Sequence, residues 1–315
     1  MSDKAILGID TSNYTTSAAL YFPDSGRLIN SRRLLPVASG GRGLRQSEAV
    51  FHHTRQLHEV IANLYDEAGS HVDIISVGVS SRPRACAGSY MPCFTVGVNT
   101  AKSIGSVLDV PVYEFSHQSG HIAAAVESSE HKELFDREFI AFHVSGGTTE
   151  AVRVRPDESE IFSAEIVGKT LDLHAGQAID RVGVMLGLDF PCGAKLEKLA
   201  NKCSKDIKVK PCVKDTDCCL SGIENICAKM INDNIDPSEI ALTCLVYIEK
   251  TLDKMCENIL HRCGDMPVLF AGGVMSDDLI RERLAERYKC VFASRELSSD
   301  NACGTAVLAF RKGMK

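Results

Sequence analysis

The sequence predicts an α/β protein built from two related halves. Two observations carry this: apolar runs of strand length alternate with longer stretches of helical period, and one strand-turn-strand phrase occurs twice. The first copy is "AILGIDTSNYTTSAALYF" and the second "FIAFHVSGGTTEAVRV"; "DTSNYTTSAAL" set beside "VSGGTTEAVRV" suggests a duplicated half. In each copy a turn of small and hydroxyl residues joins two strands. Such a turn is expected to expose backbone N–H groups, as anion-binding turns do.

The remaining elements follow in order. "SEAVFHHTRQLHEVIANLYDEAG" repeats apolar residues at helical spacing and stops at Gly69, a C-cap signal. "DIISVGVSS" reads as a strand, "TVGVNTAKSIGSVLD" as a helix and "VPVYEF" as a strand. "SHQSGHIAAAVES" then places His117 and His121 four residues apart, on one face if the segment is helical. In the second half "AGQAIDRVGVMLGL" and "PSEIALTCLVYIEKTLDKMCENILHRCG" read as helices, "MPVLFAGGV" as a strand entering a glycine turn, and "DNACGTAVLAFRKGM" as a closing helix. No long linker separates the halves, so they are expected to share an interface.

Composition excludes several classes. The 315 residues are 44% apolar and 24% charged with a formal net charge of -6, close to globular averages and unlike disordered or fibrous chains. A nucleic-acid partner would need a local basic patch, because the overall charge repels phosphate. Neither a signal peptide nor a run of membrane-spanning length is evident, so a cytoplasmic location without membrane contact is expected. The thirteen cysteines are then expected to be reduced thiols.

Two histidines are too few for a catalytic metal, which usually takes at least three protein ligands. The pair reads equally as polar residues capping and facing a helix. Three glycine-bearing turns, Gly146-Gly147, Pro191-Cys192-Gly193 and Gly272-Gly273, are expected to follow strands, where glycine lets the backbone approach a phosphate or sugar. Together with the duplicated hairpin they describe an actin and sugar-kinase-like (ASKHA) nucleotide-binding fold of two α/β domains.

The phrases "LGIDTS", "SHQSGH", "VSGGTTE", "AGQAIDRVGVMLGLDFPCGAKLEKLA", "LSGIENI", "LFAGGV" and "DNACGTA" run in that order from Ile6 to about Phe310. In these the chain resembles the tRNA threonylcarbamoyladenosine transferases, formerly described as O-sialoglycoprotein endopeptidases. The resemblance implies one half over 1–124 plus 300–315, another over 125–299, and a nucleotide and metal site in the cleft between them. It implies one divalent metal ion per subunit, Fe or Zn, held by the catalytic His117, His121 and Asp300. His143, before the second hairpin turn, is either a further ligand or a strand histidine satisfied by the backbone. The family moves a carbamoyl group from a carbamoyl-adenylate to an amine and releases AMP. For that substrate the resemblance implies contacts from Ser145, Gly146, Gly147 and Thr148 to phosphate and hydroxyls, from Asp180 and Glu197 to the ribose, and from Gly193 and Gly272 to Asp277 around the adenosine.

The implied partners are tRNA, a smaller paralogous subunit and an ATPase accessory protein. Alternatives are a paralogue that carbamoylates a small molecule or protein group, a noncatalytic scaffold, and an ATP-hydrolysing actin-like kinase using Asp10. The endopeptidase label lacks support, because the H-x-x-x-H pair has no adjacent glutamate to act as base.

Departures from the family pattern cluster near the implied site. Thr148 replaces a histidine, Leu173 an acid, His174 an alanine, Gln177 a glutamate and Asp277 an asparagine. The loop "SSRPRACAGSYMPCFTVG" carries Arg82 and Arg84 in place of a glycine-rich phrase, as either a solvated or a substrate-facing loop. Cys203, Cys212, Cys218 and Cys219 lie close in sequence but lack C-x-x-C spacing, so packing is the default for them over a metal. His52, His53 and His58 are expected to be exposed.

Overall fold

The computed structural model describes residues 3–12, 14–36, 44–69, 71–294 and 301–314. The elements run β1 (Asp3–Asp10), β2 (Thr15–Phe22), β3 (Arg27–Leu34), α1 (Gln46–Ala68), β4 (Val72–Arg82), α2 (Phe94–Leu108), β5 (Val112–Ser116) and α3 (His117–Ser128). Then come β6 (Phe139–Val144), β7 (Thr149–Asp157), β8 (Ile161–Lys169), α4 (Ala175–Met185), α5 (Gly193–Ala200), β9 (Cys212–Lys214), β10 (Asp217–Cys219) and α6 (Gly222–Asn232). The chain ends with α7 (Pro237–Cys263), β11 (Val268–Ala271), α8 (Asp278–Arg287), β12 (Cys290–Phe292) and α9 (Ala302–Gly313). Two compact units result: Met1–Asp136, Pro156–Ser163 and Glu296–Lys315 form one, and Arg137–Arg155 with Ala164–Arg295 the other.

In the first unit the sheet order is β3-β2-β1-β4-β5. β2 runs antiparallel to β1 and β3, while β4 and β5 continue the sheet parallel to β1. Alternation along β1 sends Ala5, Leu7 and Ile9 into a core with Leu57, Val60 and Leu64 of α1 and Ala101 of α2. Gly8 backs instead onto α9. Where α9 crosses α3 the backbones nearly touch: a side chain at Gly304 would overlap the Gly120 carbonyl oxygen. Only glycine permits that approach, which seats α3 against the start of α9.

The buried stripe of α1 is Ala49, His53, Leu57, Val60, Leu64 and Ala68. Here the expectation that His53 is exposed fails. Helical spacing carries it inward, and its Nδ1 meets the Thr16 hydroxyl at 2.8 Å. His58 is exposed and His52 partly so.

In the second unit the sheet order is β12-β11-β6-β7-β8. β7 is antiparallel to β6, and β11 and β12 are parallel to it, which reproduces the topology of the first sheet. The long α7 is buried along most of its length in the core of this unit. Phe142, Phe270 and Phe292 stack in sequence across neighbouring strands, with centroids 4.9 and 5.5 Å apart. Among the described residues no helix is long and apolar enough to cross a membrane.

Candidate functional site

In the first unit the parallel strands β1, β4 and β5 end on one edge, and their last residues build a buried polar cluster. Ser116 closes β5 and caps α3, its hydroxyl accepting the Ser119 N–H at 3.1 Å. His117 therefore opens the helix, and His121 lies one turn on. Asp10, at the end of β1, is 1% exposed. Its Oδ1 accepts the Ser12 N–H at 2.9 Å, and its Oδ2 lies 2.9 Å from His117 Nδ1. Burial alone would raise this carboxyl, but His117 and the hydrogen bonds from His117, Ser12 and Ser80 outweigh it and hold Asp10 well below the ordinary carboxylate range.

Asn301, ahead of α9, fixes the tautomer. Its Nδ2 donates to Asp10 Oδ2 and, at 3.1 Å, to Ser80 Oγ, which uses both amide hydrogens. His117 Nδ1, although 2.6 Å from that amide nitrogen, must then carry a proton donated to Asp10. In the form of the ring that could bind a metal, the lone pair is then on Nε2. That atom lies 3.0 Å from His121 Nε2, with the rings nearly perpendicular.

Two nitrogens bound to one ion at about 2.0–2.1 Å sit roughly 2.9–3.4 Å apart in right-angled to tetrahedral geometry. The observed separation and the Asp10–His117 bond therefore fit a metal held by both Nε2 atoms, with the carboxylate orienting its histidine from behind. Asp300 lies outside the described residues. Among the described residues no three His, Cys, Asp or Glu side chains gather as a metal would require. His143 lies in the second unit, on β6, in register with Ala271 and Glu150.

The second unit places its candidates at the matching edge, beyond the ends of β6 and β11. Ser145 to Thr148 form the β6–β7 turn. The Ser145 N–H donates to the Thr148 carbonyl at 2.7 Å, and the Ser145 hydroxyl accepts N–H groups from Gly147 and Thr148 at 3.3 and 3.1 Å. Gly146 and Gly147 are exposed, and the Gly146 N–H has no partner among the described residues. α4 presses on this turn through Gly176, where an added Cβ would lie 2.6 Å from Gly146 N.

Asp180 accepts the Cys192 N–H with Oδ1 at 2.8 Å, and Glu197 accepts the Asp278 N–H with Oε1 at 2.8 Å. Each carboxylate is thus anchored by one oxygen, and the other has no hydrogen-bond partner among the described residues. Asp180 also lines a groove of about 500 Å³ with Gln177, Arg181, Val184, Phe190 and Glu224. Gly193 opens α5. Asp277 caps α8, accepting the Ile280 N–H at 3.1 Å, and burial pushes its carboxyl up to about 6.

Several sequence expectations change here. The Pro191-Cys192-Gly193 turn joins two helices instead of following a strand, since α4 precedes it and α5 starts at Gly193. Arg82 is not a free positive charge: its guanidinium meets Glu160 Oε1 at 2.6 Å and the Ser81 hydroxyl at 2.8 Å. Leu173 is buried, and Gln177 accepts the His174 N–H with its side chain at 3.4 Å, so two of the departures serve the start of α4. Cys218 is fully buried and its thiol is pushed up to about 12 by that burial, which suits packing and not metal ligation. Sequence reasoning missed Asn301 and Gly176. The only signal for Asn301 was its place beside Asp300.

Comparison with known proteins supplies a family and a fold. The family model for TsaD, tRNA N6-adenosine threonylcarbamoyltransferase, matches residues 36–307. Component A of the (R)-2-hydroxyglutaryl-CoA dehydratase of Acidaminococcus fermentans is 16% identical with a TM-score of 0.56, over 99% of each chain. HypF of T. kodakarensis is 13% identical with a TM-score of 0.59, over 99% of this chain and 48% of that one. A ROK family glucokinase from Streptomyces griseus is 11% identical with a TM-score of 0.52, over 98% and 99% of the two chains. The fold is accordingly actin/sugar-kinase-like, α/β with two mixed sheets.

Proposed function

The chain belongs to the tRNA N6-adenosine threonylcarbamoyltransferase family, and from that premise we propose that it transfers a carbamoyl group, in its threonyl form, from a carbamoyl-adenylate to the N6 amine of a tRNA adenosine. The amine nitrogen attacks the carbamoyl carbon, the bond from that carbon to the AMP phosphate oxygen breaks, and AMP and a proton leave. The observation that carries this reading is the cluster in which Asp10 and Asn301 turn His117 Nε2 toward His121 Nε2. Ordinary packing does not require two imidazoles to meet edge to edge with both outer nitrogens converging.

In this reading His117, His121 and Asp300 hold a divalent metal, and iron or zinc suits such a donor set. When bound, it would supply Lewis-acid stabilisation of the charge that develops on the carbamoyl or phosphate oxygens. Asp10 keeps His117 in the ligating tautomer, and Asn301 keeps Asp10 in place. In the second unit the open Gly146 N–H and the adjoining turn receive the phosphate, while the second oxygens of Asp180 and Glu197 accept from ribose hydroxyls. Gly193 and the Gly272–Asp277 segment border the base.

The environment of Asp10 argues against the kinase alternative. Its carboxylate is held by Ser12, His117 and Asn301 and is committed to orienting a histidine instead of a nucleotide-bound magnesium. A smaller paralogous subunit and an ATPase accessory protein remain the partners proposed from the family. We assign the former to the surface of α1, where Phe51 and Tyr65 are exposed and where Leu57, His58 and Ile61 line a groove of about 290 Å³ with Val96.

The test is incubation of the purified protein with threonylcarbamoyl-adenylate, with and without tRNA and the accessory proteins. AMP release and nucleoside composition are the readouts. tRNA-dependent AMP release with threonylcarbamoylated adenosine supports the reading. Turnover with a small-molecule or protein acceptor but not tRNA would replace it with the paralogue reading, and release of phosphate from ATP alone with the kinase reading.

A further inference from the structure

The cysteine-rich segment has no part in the reading above, yet its arrangement is specific. β9 and β10 form an isolated two-stranded hairpin in which Cys212 stands opposite Cys219. Cys212 is exposed and Cys219 partly so, whereas Cys218 points to the other face and is buried in the core. The two side chains share one face of the hairpin as a directly opposed pair. Directly opposed residues of an antiparallel pair have Cβ atoms about 4.5–5.5 Å apart, and a disulfide needs roughly 3.5–4.5 Å. Closing that difference takes a shift of about 1 Å between two strands of three residues each.

We propose that Cys212 and Cys219 form a reversible disulfide, a modification site on the second unit that responds to the thiol-disulfide balance around the protein. With oxidised glutathione as oxidant, the Cys212 thiolate attacks one glutathione sulfur, a mixed disulfide forms and one glutathione thiolate leaves. The Cys219 thiolate then attacks Cys212 Sγ and expels the second glutathione. Two protein thiols are oxidised, two glutathiones are reduced, and the two thiol protons pass to the departing thiolates.

The hairpin is tied to the loop that leads into α4. Cys218 accepts the Leu171 N–H at 2.8 Å and bridges Thr170. Directly after Cys219, the N–H groups of Leu220 and Ser221 donate to Asp172 at 2.8 and 3.2 Å, and the Ser221 hydroxyl at 2.5 Å. Closing the disulfide fixes one end of this network, so the Thr170–His174 segment loses freedom. That segment positions Gln177 and Asp180, and only this last link rests on the proposed nucleotide site.

The test is treatment of the full chain with oxidised glutathione, blocking of the remaining thiols, and peptide mapping without reductant, with hydrogen exchange on the same samples. The expected result is a link between Cys212 and Cys219 with the loss of two hydrogens, reversed by dithiothreitol and absent from C212S and C219S. Exchange should slow at least several-fold across residues 170–174 in the linked form. Glutathione that remains on Cys212 without a link, or Cys212 joined to another cysteine, would overturn the site. A link with unchanged exchange at 170–174 would overturn the coupling. Neither result depends on turnover, so failure here is distinguishable from failure of the transferase reading.

Discussion

The two units build the same sheet topology, yet the turns between their first two strands do opposite things. In the first unit Asp10, Thr11 and Ser12 are buried and engaged within the protein: Asp10 holds His117, and the Thr11 hydroxyl donates to the Cys93 carbonyl at 3.0 Å while accepting the Gly97 N–H at 3.1 Å. In the second unit the equivalent turn, Ser145–Thr148, bonds within itself and leaves two exposed glycines and, at its tip, an N–H with no partner among the described residues. In the proposed function the first copy orients a metal-binding histidine and the second receives the phosphate. The difference lies in side chains: an aspartate at the strand end can reach an imidazole, whereas glycines expose backbone.

Breaking the first copy should have the largest effect. His121→Ala or His117→Ala is expected to lower metal content and to cut AMP release at least about 100-fold, because each removes a proposed metal ligand and the charge stabilisation that metal would supply. Metal analysis by mass spectrometry alongside turnover checks this, with circular dichroism to confirm folding. Asp10→Asn should act one step back. It keeps the size of the side chain but weakens the hold on the His117 Nδ1–H, so metal affinity should fall roughly 10- to 100-fold, as for other partners behind metal ligands.

The second copy is best tested through its support. Gly176→Ala places a methyl 2.6 Å from Gly146 N, so the turn must shift. Adenylate affinity is expected to fall about tenfold, and stability by about 1–3 kcal/mol as for other overpacked sites, with metal content unchanged. Calorimetric titration and thermal unfolding measure the two effects.

The smallest effect concerns Asp277. Burial raises its carboxyl from 3.8 to about 6, the Ile280 N–H pulls the other way, and Glu197 and Asp278 add to the rise. Because the folded value exceeds the unfolded one, the proton is bound more tightly in the folded state. The corresponding stability is fully present below about pH 3.8 and is lost as pH rises through 6. Asp277→Asn retains the cap on α8 and removes the charge. It should be more stable than the parent at pH 7.5 by on the order of 1–2 kcal/mol, with the difference vanishing near pH 4 in denaturant titrations.

The sequence made the duplication legible because both first hairpins combine continuous apolar strands with small-residue turns, a pattern that survives divergence. β3 escaped notice because it is a polar edge strand, "RLINSRRL", with one buried residue. β9, β10 and α5 were too short for periodicity to register. The histidine pair was visible and its role was not, because the partners that fix the His117 tautomer, Asp10 and Asn301, are 107 and 184 residues away. Sequence-local patterns carry no record of such contacts. His53 was misread for a related reason: composition marked it as polar, while the period of α1 carried it inward.

The division of roles between the units can be measured directly by determining bound metal and AMP affinity together in His121→Ala and Gly176→Ala. A crossed result is expected, with His121→Ala losing metal while keeping AMP affinity within about twofold, and Gly176→Ala keeping metal while losing AMP affinity about tenfold. If both variants lost both properties while remaining folded, or if His121→Ala kept its full metal content, the assignment of metal to one unit and nucleotide to the other would be contradicted.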